Sequence, residues 1–258
     1  MLRPRITPCL LVHKGGLVKT VGFKTPKYVG DPINAVKIFN EKEADELVVL
    51  DIDATVNNTE PGYRMIANLA AECRMPLCYG GGIKNPGQAK RIIGLGVEKV
   101  AISSAAVEQP ELITHIADEI GRQSVVVVLD VKKRLFSKDY DVFTRNARNN
   151  TKRSVFDLAV EAEKLGAGEL VINSIDLDGA MNGYDLALAE RIRQAVKIPI
   201  TILGGAGSLN DIEALVRACG VIGASAGSLF VFKGVYKAVL INYPTLGQRD
   251  ELIRNALH

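Results

Sequence analysis

The chain has 258 residues, with 32 basic and 29 acidic side chains, a formal net charge of +3, 47% hydrophobic content and no Trp. This balance implies no nucleic-acid or membrane partner, and no apolar run approaches the roughly 20 residues that span a bilayer. Cys9, Cys73, Cys78 and Cys219 form no CxxC pair and the N-terminus lacks a small-residue cleavage site, so no metal, cofactor, disulfide framework or signal peptide is expected, and the setting is read as a reduced cytoplasm.

Short β-branched runs alternate with longer amphipathic stretches along the whole chain. Strands are predicted at 6–12, 47–50, 76–79, 99–102, 125–129, 169–173, 199–203 and 221–225. Helices are predicted at 32–44, 62–73, 85–95, 110–120, 154–165, 185–196, 209–218 and from about 229 onward. Eight strand-then-helix units predict an α/β fold with a parallel sheet, and the length suits a single (β/α)₈ TIM barrel over 1–258. An open doubly wound sheet is the alternative, but strand one runs into HKGGLVK, which is not its Gly-rich fingerprint. Three pairs of segments echo one another about half a chain apart: VVLDID with INSIDLD, YGGGI with LGGAGS, and AISSAA with IGASAGS. The barrel therefore reads as two related half-barrels. The basic, Asn-rich stretch 131–153 reads as a hairpin or mobile loop on the active face.

Barrel chemistry sits at the C-terminal ends of strands. Gly82 with Ser104, and Gly205 with Gly227 and Ser228, form two matched glycine-plus-hydroxyl sites there. Bare backbone N–H groups admit an anion closely. Two such sites predict an elongated small molecule with phosphate at both ends. Asp130 closes the apolar run VVVVLD and suits a general acid or base. Asp51, Asp53, Asp176 and Asp178 read as ligand-positioning groups, and Asp178 before Gly179 also suits a turn. At the opposite end, Arg5, Glu46, Lys99 and Glu169 begin four strands, and two charges of each sign there can close a ring across the axis.

With these residues in view, the chain resembles the HisF family, the cyclase subunit of imidazole glycerol phosphate synthase. The resemblance rests on RITPCL (5–10), GDP (30–32), DELVVLDI (45–52), YGGGI (79–83), AAVE (105–108), VVVVLDVK (125–132), SIDLDG (174–179), NGYD (182–185) and GGAG (204–207). It implies a barrel of two halves. It implies phosphate sites at Gly82 and Ser104, and at Asp178, Gly179, Gly205, Gly227 and Ser228. Lys19 would close over the ligand. It further implies a HisH-like glutaminase partner docked at the barrel bottom beside Glu98, feeding ammonia through the gate Arg5, Glu46, Lys99 and Glu169.

One position departs from the family. The cyclase reaction uses aspartates at the ends of strands one and five, and only Asp130 is present; strand one carries Leu11. His13 shares the strand parity of residue 11 and is the candidate substitute. An intact gate with a lost carboxylate resembles the HisF-like paralogue of surface-polysaccharide clusters. There the barrel supplies ammonia to a separate sugar amidotransferase that converts an acetamido sugar to an acetamidino sugar. Ammonia channelling for sugar amidation is therefore the first expectation. A histidine-pathway cyclase working through Asp130 and His13 is the second, and a phosphate-ligand-binding scaffold without ammonia transfer the third.

Overall fold

The computed structural model describes residues 3–257. Twelve strands share one sheet: β1 (Arg5–His13), β2 (Gly16–Val21), β3 (Lys24–Gly30), β4 (Leu47–Asp51), β5 (Leu77–Gly80), β6 (Lys99–Ile102), β7 (Val125–Lys133), β8 (Tyr140–Thr144), β9 (Asn149–Ser154), β10 (Glu169–Ser174), β11 (Ile200–Leu203) and β12 (Gly223–Ala226). Eight of them, β1, β4, β5, β6, β7, β10, β11 and β12, pair in parallel in that order. Parallel pairing of β12 with β1 closes the cylinder, so the chain is a (β/α)₈ barrel.

These strands are buried on both faces, which is why they read as near-continuous apolar runs. One parity points outward and packs beneath the helices, as with Ile6, Leu47, Tyr79 and Ile172. The other parity points inward. Cys9, Val48, Cys78, Ala101, Val126, Val128, Val171 and Leu203 fill the cylinder, with Leu11 and Leu50 packed against them. Among the described residues no helix is long and apolar enough to cross a membrane.

Local sequence explains where the helices begin. Asp31 caps α1 (Pro32–Glu41) by accepting from the Asn34 N–H at 2.9 Å, with Pro32 in the first turn where its missing N–H is harmless. Asp185 caps the helix Leu186–Ala195 in the same way, accepting from the Leu188 N–H at 3.0 Å. The GDP and NGYD segments thus place helices rather than chemistry.

The barrel halves match in a way the strand prediction did not include. The first half opens with β1 and the second with β7, and each is followed by an antiparallel hairpin, β2–β3 and β8–β9. The second is the basic segment 131–153; the first was not predicted. The C-terminal region also differs from one long helix. It is a four-residue helix (Ser228–Val231), a short hairpin of β13 (Phe232–Lys233) with β14 (Ala238–Val239), and a final helix (Leu246–Leu257). Gly234 at a φ of +72° breaks the helical path.

Candidate functional site

The C-terminal ends of the barrel strands open into a cleft of about 1250 Å³, counted out to the solvent at its mouth. Asp130 from β7 and Leu11 from β1 both line it. They hold equivalent places, since each faces the first strand of its own hairpin, Asp130 opposite Phe143 and Leu11 opposite Val18. Asp130 accepts from Asn173 Nδ2 at 2.8 Å and from Ser103 Oγ at 3.5 Å. Burial pushes its carboxyl up to about 7, against the lowering effect of those two donors. On the β1 side the lining is aliphatic, Leu11 beside Leu50.

Both glycine-rich turns line the cleft, and their backbones admit no side chain. Gly82 has a φ of +75°, and a Cβ there would lie 2.9 Å from the Thr59 carbonyl. Gly205 has a φ of +111°, and a Cβ would lie 2.1 Å from the Gly183 carbonyl. Beside the first turn, Ser104 Oγ accepts from the Arg145 N–H at 2.9 Å, and Asn146 Nδ2 donates to the Ile52 carbonyl at 2.7 Å. The tip of the β8–β9 hairpin is thereby drawn over that turn. Beside the second, Lys19 Nζ sits where a Cβ on Gly227 would come within 2.4 Å. Lys19 is on β2 rather than in a free loop. It is buried, donates to the Cys9 carbonyl at 2.6 Å, and burial holds its ammonium below the ordinary lysine range. Ser228 is also buried on the cleft wall.

Four other expected site residues have different surroundings. Asp178 lines the cleft, but its carboxylate accepts from Thr20 Oγ1 at 2.6 Å and from the Phe23 N–H at 3.0 Å. Its side chain thus latches the β2–β3 hairpin, with one carboxylate oxygen taken up by that hairpin. Gly179, at a φ of +67°, lets that loop pass against the Thr20 carbonyl. Asp176 is exposed and outside the cleft lining, because it faces β7: it accepts from the Lys133 N–H at 3.2 Å and lies 3.6 Å from Lys132 Nζ. Asp51 lines the cleft yet accepts from the Asp53 and Ala54 N–H groups, at 2.9 and 3.2 Å.

His13 is not among the residues lining the cleft. β1 has by then turned into its hairpin, where His13 pairs with Gly16, and the ring is drawn to Asp53 Oδ1 at 2.7 Å. The candidate substitute for the missing strand-one carboxylate is therefore displaced from the site.

At the opposite end of the barrel the four strand-start charges close into a ring. Arg5 binds Glu46 and Glu169, both at 2.7 Å, and Lys99 binds the same two at 2.7 and 2.9 Å. Thr201 Oγ1 donates to Glu169 at 2.7 Å. Burial would raise the Glu169 carboxyl, but Arg5 and Lys99 outweigh it and hold it below its ordinary value. Glu98 is exposed beside this ring.

Over residues 5–237 the chain matches the family described as histidine biosynthesis protein. It is 55% identical, over 98% of its length and 99% of the relative's, to a Leptospira borgpetersenii protein provisionally named imidazole glycerol phosphate synthase subunit HisF. A Pseudomonas aeruginosa PAO1 protein, provisionally named subunit hisF2 of that synthase, is 51% identical over 97% of this chain and 99% of its own. The Lactococcus lactis IL1403 imidazole glycerol phosphate synthase subunit HisF is 39% identical over 99% of this chain and 95% of its own. The chain belongs to the HisF family.

The strand-end reading did not single out Asn173 or Asn146. Asn173 carried a usable signal, since it shares the inward parity of Glu169 and Val171 on β10. Asn146 had none, because only the folded hairpin brings it to the Ile52 carbonyl.

Proposed function

We propose that this barrel accepts ammonia from a HisH-like glutaminase docked at the charged ring and releases it at the cleft. The ammonia then serves amidation of an acetamido sugar in surface-polysaccharide synthesis. The single observation that carries this reading is Leu11. It lines the cleft where the half-barrel symmetry sets it opposite Asp130, and a leucine neither gives nor takes a proton. A positioned acid or base contributes about 10²–10⁴-fold. The apolar interior between ring and cleft suits a small neutral molecule such as ammonia, and excludes ions by their desolvation cost.

Two observations favour a second reading, a histidine-pathway cyclase. Asp130 has a carboxyl held near neutral pH, the range a general acid–base group needs, and the glycine cradles beside it suit a ligand with phosphate at both ends.

Two assays separate these readings. The first is complementation of a histidine auxotroph lacking its cyclase subunit. The second reconstitutes this chain with its glutaminase and an ATP-dependent acetamido-sugar amidotransferase, and follows glutamine-driven amidation. Amidation without complementation is the expected result. Robust complementation that depends on Asp130 would install the cyclase reading instead.

A further inference from the structure

Two hairpins contribute to the cleft lining, β2–β3 through Lys19, Thr20 and Phe23 and β8–β9 through Asn146, and a third, β13–β14, follows the eighth barrel strand and touches the first. Their segments 14–30, 131–153 and 232–240 carry fourteen Lys or Arg against two Asp, in a chain whose net charge is only +3. Everything outside them therefore carries a net −9, and the near-neutral total conceals a strongly basic rim. Lys24, Arg148, Lys152, Lys233 and Lys237 take part in none of the ion pairs formed among the described residues.

Among the described residues, the same segments carry the most exposed apolar side chains. Leu135 and Phe136 at the β7–β8 turn are 87% and 106% exposed, Val235 and Tyr236 at the β13–β14 turn 95% and 96%, and Tyr28 on β3 66%. Exposed aromatics of this kind cost solubility unless something covers them. Lys27 Nζ lies 5.3 Å over the Phe232 ring, which ties the first and third hairpins into one surface. Exposed apolar side chains set in positive charge, on hairpins two of which reach an apolar-walled cleft, have the make-up of an interface: aromatic anchors inside a charged surround that steers encounter.

We propose that these three hairpins are the docking face for the ammonia-consuming enzyme, and that its contact surface is acidic with apolar sockets. The inference rests on the ammonia-transfer reading above. A protein lid also answers a chemical need, because ammonia released at an uncovered mouth is protonated and lost to bulk water. An anionic membrane also attracts basic loops with apolar tips, but it leaves the released ammonia without a sealed route to its acceptor.

The test uses the complex of this chain with its glutaminase, titrated with the sugar amidotransferase of the amidation assay. Wild type is compared with Phe136→Ser/Tyr236→Ser and with Lys24→Glu/Lys237→Glu, at about 50 and about 300 mM salt. Each double variant is expected to weaken binding by at least about tenfold. Salt should weaken wild type more than the charge-reversed pair. Glutamine hydrolysis should be unchanged, because these residues lie at the end opposite the ring. Amidation driven by ammonium chloride should be unchanged, and amidation driven by glutamine should fall. Unchanged affinity in both variants overturns the docking face while wild-type glutamine-driven amidation keeps the ammonia-transfer reading. Absence of that amidation in wild type overturns both. Loss of binding to phosphatidylglycerol vesicles, or loss of self-association, without any binding of the amidotransferase assigns the rim to that other occupant and overturns the proposal.

Discussion

Asp130 and Leu11 occupy equivalent positions of the two half-barrels and differ in one property, the capacity to hold a proton. Asp130 has its folded pKa raised from 3.8 to about 7 by burial. A raised carboxyl contributes stability that is complete below its unfolded value and is lost as pH climbs through its folded value. Stability should therefore decline between about pH 4 and pH 7. Asp130→Asn keeps an acceptor for Asn173 and removes the buried charge, so it should melt higher than wild type at pH 8 and show no advantage at pH 4. Thermal melts across that range check it; an advantage independent of pH would show that ionisation is not the cause. At this scale Asp130 and the two glycine turns were legible, because an acid ending an apolar run and glycines after strands break their local pattern. The neighbours that set their chemistry were not: the Asn173 contact to Asp130 and the burial of Lys19 depend on strand register.

The β2–β3 hairpin shows what an element needs in order to be read from sequence. Its turn passes through Gly22 and Phe23 at φ of +59° and +62°, and the turn before it through Lys14 and Gly15 at +50° and +78°. Paired positive φ angles are a tight hairpin's requirement, normally met by Asn-Gly or Asp-Gly. Phe23 and Lys14 carry no such signal, and KTPKYVG is largely exposed, so no apolar alternation marks it. The barrel strands were legible because burial on both faces forces an apolar run. With so little apolar packing in β3, the Asp178 latch takes on much of the work. Asp178→Ala should cost about 1–3 kcal/mol locally, seen as faster amide exchange over 16–30, while exchange in β7 and β10 stays at the wild-type rate. Equal acceleration across the barrel would mean that the latch supports the whole fold.

At the scale of the molecule the barrel has a polar end, an apolar interior and a cleft stacked on one axis. The ring at the polar end is a buried network, and removing one member strands the others. Lys99→Met leaves Glu46 and Glu169 sharing Arg5 alone and should cost about 3–5 kcal/mol in denaturant titrations. Lys99→Arg, which keeps the charge, should cost less. Because Glu169 is held below its ordinary pKa, its contribution is present above the unfolded carboxylate value and disappears as pH falls through the folded one. The acid limb of the stability curve should accordingly be shallower in Lys99→Met. The seam that closes the cylinder has a consequence in time. β1 finds β12 from the far end of the chain, Ser225 Oγ donating to the Thr7 carbonyl at 2.9 Å and Tyr243 Oη to the Ile6 carbonyl at 2.7 Å. Contacts of such separation form slowly. In pulse-labelled refolding, amides of β12 should gain protection after those of β7 and β10. On the ribosome, Arg5, Glu46, Lys99 and Glu169 are all synthesised before the strands that bring them together. A partner that recognises the ring would find nothing to grip until the last barrel strand has been translated and sealed, so its docking would have to follow translation.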